Sequence, residues 1–512
     1  MNTKKRVMIN LICNIASFII QLVINFAISS ILVEKVGDAA YGFVGLSTNF
    51  ISYATIFTAA LNSMAGRFVS YEVNQGNVES ANKYYSSVFF ANILISGIIF
   101  IISLILTINI ESIIKIPTDL VGDVKITFFL SFVNLILSLI TVVFNIGAFV
   151  KNRIDLISIR NIIGNVIRAI VLTICFSFLT PKIYYIPFSS VLMSIFLVIS
   201  YYKISKKICP ELFINRKNIN KSYIKKLISS GIWNSINSLS RTLLTGLDLL
   251  IANLFIGPAE MGVLSLAKTI PTTIENFLST FSTTFNPQFL ILYSENKIEE
   301  LIEYVNYSLK VVGLIMLVPI SMITVFGIDF FHLWLPYKTT EELMKLQILS
   351  VLSLLPFMVS SSNYTLFVLD SVTNKLKRPV LATFIMSVLS TITTLALLKY
   401  TNLEIYAIAG VSSLYWLLKV FFFNTINAAN NLNVKWNTFF KPFLRNLVVF
   451  FVLTLFYSVL KHFITLSSWK IFFIVSFVII MIGYILAFIL ILNRKERKEM
   501  KEKIINKLKQ TN

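Results

Sequence analysis

From residue 8 to residue 492 the chain is a near-continuous series of long apolar runs separated by short polar joints. That feature decides the fold class. Runs of about eighteen or more apolar residues cross a hydrocarbon core about 30 Å thick as helices, and a lipid-exposed backbone tolerates little else. Length and hydropathy mark about fourteen spans, at roughly 8–33, 40–66, 84–108, 124–149, 157–180, 184–203, 228–256, 260–292, 304–327, 342–368, 379–399, 403–425, 443–463 and 469–492. The expected fold is an all-α polytopic membrane protein. A chain that is 56% hydrophobic and only 13% charged lies outside the range of soluble domains.

The net charge of +21 suggests nucleic acid until its distribution is read. With the N-terminus inside and alternating spans, the basic residues collect on one side. Lys203, Lys206, Lys207, Arg216, Lys217, Lys221, Lys225 and Lys226 follow the sixth span, and a basic tail runs through Arg494, Lys495, Arg497 and Lys498 to Lys509. The opposite joints carry far fewer cations. This asymmetry predicts a multi-pass protein of a plasma membrane with both termini cytoplasmic. Its basic surface faces anionic lipid headgroups, and no nucleic-acid partner is expected. No cleavable signal peptide is evident, because the apolar stretch after Lys4, Lys5 and Arg6 is too long for one.

Segment 229–292 carries charge where a bilayer core is expected. Two apolar helices meet at the turn Ile256, Gly257, Pro258, Ala259, Glu260, with Arg241 and Asp248 on the first and Lys268 and Glu275 on the second. Each pair is spaced i, i+7, which in an unbroken α-helix puts both charges on one face. In an antiparallel hairpin Asp248 and Lys268 both lie roughly 12 Å from the turn, and Arg241 and Glu275 roughly 22 Å, at about 1.5 Å per residue. Opposite charges would then meet in two rungs, either structural ion pairs or part of a substrate or coupling-ion path.

The opening hairpin repeats this pattern 220 positions earlier. Asn14 falls on Asn234, Ser17 on Asn237, Gln21 on Arg241 and Asn25 on Thr245. Gly37 falls on Gly257, Gly42 on Gly262, Thr48 on Lys268, Thr55 on Glu275 and Asn62 on Ser282. A gapless overlay of turn glycines and polar stripes reads as an internal repeat. Six spans separate the copies, so both enter the membrane the same way, as a parallel repeat. The expected domains are a six-helix lobe at 1–227, a second at 228–440, an extra helix pair at 441–493 and a cytoplasmic tail at 494–512. Corresponding stripes would face each other across a central cleft. Asn14, Gln21, Asn25, Asn234 and Asn237 are the candidate polar lining, and Arg168, mid-span in the fifth helix, either joins the cleft or pairs with a backbone carbonyl. Lys310 and Lys419 sit nearer the cytoplasmic edge, where snorkelling accounts for them.

The sequence carries no glycine-rich phosphate loop and no metal-ligand spacing, so neither an ATP site nor a metal or other cofactor is expected. Cys13, Cys175 and Cys209 form no disulfide framework. The short outer joints argue against a membrane glycan polymerase. What remains is transport. Arg241, Lys268 and Arg168 suit phosphate oxygens, and the Asn, Ser, Thr and Gln stripes suit sugar hydroxyls.

Several stretches taken together resemble the polysaccharide repeat-unit flippases: Gly37, Asp38, Ala39, Ala40, Tyr41 and Gly42; Gly66, Arg67 and Phe68 with Gln75, Gly76 and Asn77; and the helix from Gly231 to its intramembrane Asp248. That family belongs to the superfamily that also holds the multidrug and toxic-compound extruders and the peptidoglycan-precursor flippases. The resemblance covers about residues 5–490. It implies two six-helix lobes in a V plus two extra helices. It also implies movement of an undecaprenyl-diphosphate-linked oligosaccharide from the inner to the outer leaflet by alternating access, without enzymatic chemistry. In that picture the cationic residues meet the diphosphate, while Asp248 and Glu275 set a conformational switch or respond to H+ or Na+. The alternatives are an ion-coupled drug or metabolite antiporter of the same superfamily, a glycan polymerase, and a non-transporting scaffold.

Overall fold

The computed structural model describes residues 3–492 and Arg497, with the side chains of residues 3–18, 360 and 362 outside the description. Apart from Arg497, the basic tail at 494–512 lies outside the described residues. Among these residues every long element is helical, and thirteen helices are long and apolar enough to cross a membrane. The chain divides into two compact units, residues 1–266 and 267–512.

The first unit holds α1 (Thr3–Val36), α2 (Asp38–Asn74), α3 (Val78–Ile108), α4 (Val121–Val150), α5 (Ile154–Phe178), α6 (Tyr185–Ile208), α7 (Lys221–Ile256) and nearly all of α8 (Pro258–Ala267). Helix α2 is its centre, packed against α3, α4 and α7. The α2–α7 seam is tight because Gly231 lets the backbones touch: a Cβ there would overlap the Ala60 carbonyl oxygen. Beside it, Ser235 Oγ donates to the Ile56 carbonyl at 2.7 Å and accepts from the Ala60 N–H at 2.9 Å. Small residues that bring backbones together, with hydroxyls bridging them, replace the hydrophobic drive that lipid does not supply.

The turns of the two equivalent hairpins are built alike. Gly37 (φ 93°, ψ 169°) and Gly257 (φ 153°, ψ 171°) each stand just before a helix, in a backbone state that side chains rarely enter. The equivalent positions also touch. A Cβ on Gly42 would lie 2.8 Å from the Gly262 Cα, and one on Gly45 would run into the Ser265 hydroxyl.

The Gly257 end of α7 is clipped to the α3–α4 connection. The Asn253 amide, fully buried, accepts from the Lys115 N–H at 2.9 Å and donates to its carbonyl at 3.0 Å. Asn253→Ala strands both backbone groups, so a loss of about 1–3 kcal/mol is expected. Thermal melting in detergent checks this: Asn253→Asp should also melt low, because its second carboxylate oxygen would face the Lys115 carbonyl where the amide donated.

The expected span at 260–292 is not one helix. It is α8, α9 (Thr269–Thr283) and α10 (Asn286–Ser294), broken at Lys268 and at residues 284–285. Proline explains both breaks. A proline removes its own N–H and clashes with the carbonyl four residues back. Pro271 points to residue 267, where α8 ends, and Pro287 to residue 283, where α9 ends.

The second unit continues with α11 (Ile298–Trp334), α12 (Thr340–Asn363), α13 (Leu366–Val372), α14 (Lys377–Tyr400), α15 (Glu404–Asn431), α16 (Phe440–Lys461) and α17 (Trp469–Ile491). The final pair is joined to α11 by specific bonds. Asn446 donates to the Leu309 carbonyl at 3.1 Å, and Tyr484 to the Ile315 carbonyl at 3.1 Å. Lys461 reaches Asp329 at 3.0 Å and the Val325 carbonyl at 2.8 Å.

Candidate functional site

Polar contacts between helices of the first unit involve α1, α2, α5 and α7. Arg168 lies mid-way along α5 and projects toward α1, where its Nη1 donates to Asn25 Oδ1 at 3.1 Å. Its Nε is buried and has no acceptor. Among the described residues no carboxylate pairs with this guanidinium. The partner is therefore a side-chain amide, rather than the backbone carbonyl that one reading of the sequence allowed. A cation held inside a membrane helix by one neutral partner keeps most of its donor capacity for an anion.

Helix α7 departs from α-geometry at two places, Thr242–Gly246 and Ala252–Ile256, which are π-helical. Each π turn adds a residue and rotates the remainder of the helix by about 100°. The i, i+7 reading of Arg241 and Asp248 therefore fails: Arg241 is exposed, whereas Asp248 is only 5% exposed. The π turn also frees the Gly246 carbonyl. Two α2 side chains take it, Asn49 donating at 2.9 Å and Tyr53 at 2.8 Å. Asp248 follows two residues after Gly246, buried between the two π segments.

Of the other candidates, Asn25 is exposed apart from its bond to Arg168, and Gln21 and Asn237 are exposed. Asn234 donates to Ser63 Oγ at 3.0 Å. The side chain of Asn14 lies outside the described residues. Lys268 stands, half-buried, at the break between α8 and α9, so it shares no continuous helix with Glu275. Glu275 Oε1 accepts from the Tyr364 hydroxyl at 3.4 Å.

Lys419 corrects the snorkelling reading. It is 4% exposed, on a third π segment at Lys419–Asn424, with its ammonium 5.3 Å from the Phe367 ring centre and 5.2 Å from that of Trp416. Aromatic faces hold the cation inside the unit instead of letting it reach the headgroups. Asn49, Tyr53 and Lys419 were the functional-looking side chains least visible in the sequence, because each depends on a π turn that no residue pattern announces.

Long apolar helices in this number, with polar and cationic side chains held among them, define a multi-pass membrane protein. The particular family comes from comparison: a family model described as "Polysaccharide biosynthesis protein" matches residues 3–290, more than half of the sequence, and the chain belongs to that family. It is 23% identical over 492 residues to the uncharacterized membrane protein EpsK of Bacillus subtilis (strain 168), covering 96% of each chain. Its fold is similar to that of the lipid II flippase MurJ in an inward closed conformation, with TM-score 0.65 and 14% identity over 94% of this chain and 98% of that one. It is also similar to an inward-facing multidrug resistance MATE family transporter of the MOP superfamily, with TM-score 0.66 and 14% identity over 83% of this chain and 99% of that one. The chain is thus a multi-pass membrane protein of that polysaccharide-biosynthesis family, with a fold similar to those of the MurJ and MATE structures.

Proposed function

We propose that this protein flips an undecaprenyl-diphosphate-linked oligosaccharide repeat unit from the inner to the outer leaflet of a bacterial plasma membrane, by alternating access. The observation that carries the reading is Arg168, an intramembrane guanidinium without a carboxylate, with a buried Nε that lacks an acceptor. Such a group favours an anionic cargo over an organic cation. In this reading Arg168, Arg241 and Lys268 are the cationic contributions to diphosphate binding. Asn14, Gln21, Asn25, Asn234 and Asn237 meet the glycan, and Asp248 and Glu275 set the switch or answer to H+ or Na+. The lipid tail stays in the bilayer, and the basic cytoplasmic joints rest on anionic headgroups.

Depletion of the protein in its own cells tests this. A lipid-linked oligosaccharide should accumulate in the cytoplasmic leaflet while surface polymer is lost. Normal glycan lipids with new sensitivity to cationic drugs would move the protein to the extruder side of the superfamily.

A further inference from the structure

Asp370 lies on α13, beyond the apolar span Thr340–Val359 and beside the exposed residues Ser371 and Asn374. It is 7% exposed. Its Oδ1 accepts from two side-chain amides on the last turns of α15, Asn427 Nδ2 and Asn431 Nδ2, each at 2.8 Å. Both amides are buried as well. Among the described residues no hydrogen bond reaches Oδ2.

The charged groups around this carboxyl are few. From α15 comes Lys419, which acts on it electrostatically. From the joint after α13 comes Lys375, whose ammonium is committed to the Asn431 carbonyl at 2.8 Å. The apolar side chains of α13, Leu366, Leu369 and Val372, sit in a cluster with α10, α11 and the end of α15. The titratable side chains those helices bring to that cluster are Tyr293 and Tyr304. Burial pushes the Asp370 carboxyl up to about 7, against the pull of Lys419 and the two amides.

The arrangement accommodates a proton without rebuilding. Both amides use Oδ1, so a proton on Oδ2 leaves their bonds intact. What changes is Lys419, which loses its attraction to a charged neighbour while keeping its contacts with the Phe367 and Trp416 rings. Phe367 is on α13 and Trp416 on α15, so this exchange acts directly on the contact between those helices. The first unit makes the comparable tie differently. Positions 151 and 211, which are 220 residues before 371 and 431, carry Lys151 and Glu211, and these form an ion pair. There a partly exposed carboxylate is met by an ammonium directly, while the second unit seats a carboxyl between amides.

We propose that Asp370, seated by Asn427 and Asn431 and faced by Lys419, is a proton-binding site of the second unit that links the α13–α15 contact, and with it the transport rate, to cytoplasmic pH. The site's role goes beyond the flippase reading and does not depend on the cargo.

Infrared difference spectroscopy of the full-length protein in lipid vesicles tests it, with protons as the probe. A carboxyl C=O band should titrate between about pH 6 and pH 8, well above an ordinary aspartate. Asp370→Asn should remove the band, and Lys419→Met should move its midpoint upward, because the cation that favours the carboxylate is gone. In cells, surface-polymer export should change several-fold across that interval with the native protein and stay flat with Asp370→Asn. Where Asp370→Asn fails to fold, the Lys419→Met midpoint decides. An unchanged band in Asp370→Asn, or no carboxyl titrating in that interval, overturns the proposal. If the band behaves as expected but no glycan lipid is flipped, the proton site stands and the cargo assignment falls.

Discussion

Arg168→Met is expected to lower glycan-lipid flipping by one to two orders of magnitude and, at the same time, to raise the melting temperature of the protein. The two effects have one cause. A guanidinium with a buried Nε and a single neutral partner, Asn25, costs stability in the empty protein, because desolvation is only partly offset. Replacing it with an apolar side chain of similar length removes that cost. If the group binds a phosphate oxygen during transport, the same replacement loses a charge-assisted bond of about 1.5–3 kcal/mol, a factor of roughly ten to one hundred. Arg168→Lys should recover part of the activity as a point charge without the bidentate fork. Flipping measured in vesicles beside thermal melting separates this from a structural role. A variant that melts lower and still transports would mean that Arg168 serves only the α1–α5 contact.

Gly262→Val is expected to remove folded protein from the membrane almost completely. A Cβ at Gly262 would overlap the Asp38 carbonyl, and the neighbouring atoms, Asp38 C and Ala39 N, are also backbone. No side chain can rotate away, so the start of α2 or α8 itself has to shift. The cost belongs at or above the top of the range for overpacking, about 3 kcal/mol. Gly97→Ala and Gly122→Ala, which meet nothing within 4 Å, are the matched controls and should express normally. Fluorescence-detected size exclusion of tagged variants reads both results. Normal yield of Gly262→Val would show that the helix contact has slack.

The transmembrane content was legible because hydropathy is summed over some twenty residues and survives local error. The turn at Gly257 was legible because a glycine followed by a proline has few other uses between two apolar runs. The interruption of 260–292 was half-legible: Pro271 and Pro287 were visible, but hydropathy counts apolar residues and is blind to a broken hydrogen-bond ladder. The pairing of Arg241 with Asp248 on one face rested on a uniform turn angle, and a single π segment removes it. Asn25 and Arg168 were separately visible, yet their bond joins residues 143 positions apart and needs the packing of α1 on α5. Asp370 was passed over because one aspartate near the end of a span reads as surface. Its amide partners, Asn427 and Asn431, come 57 and 61 positions later.

The meeting of Gly42 with Gly262, and of Gly45 with Ser265, bears on where such a chain comes from. Each residue touches its own equivalent, so the surface is complementary to itself. A chain half this length, carrying one copy of the hairpin, would offer the same patch to a twin, as symmetric pairs do. Fusion of two such genes would keep the contact while releasing the copies to diverge. That accounts for a chain in which the glycine seam still matches and the charges, an Arg in the one hairpin against a Gln in the other, no longer do.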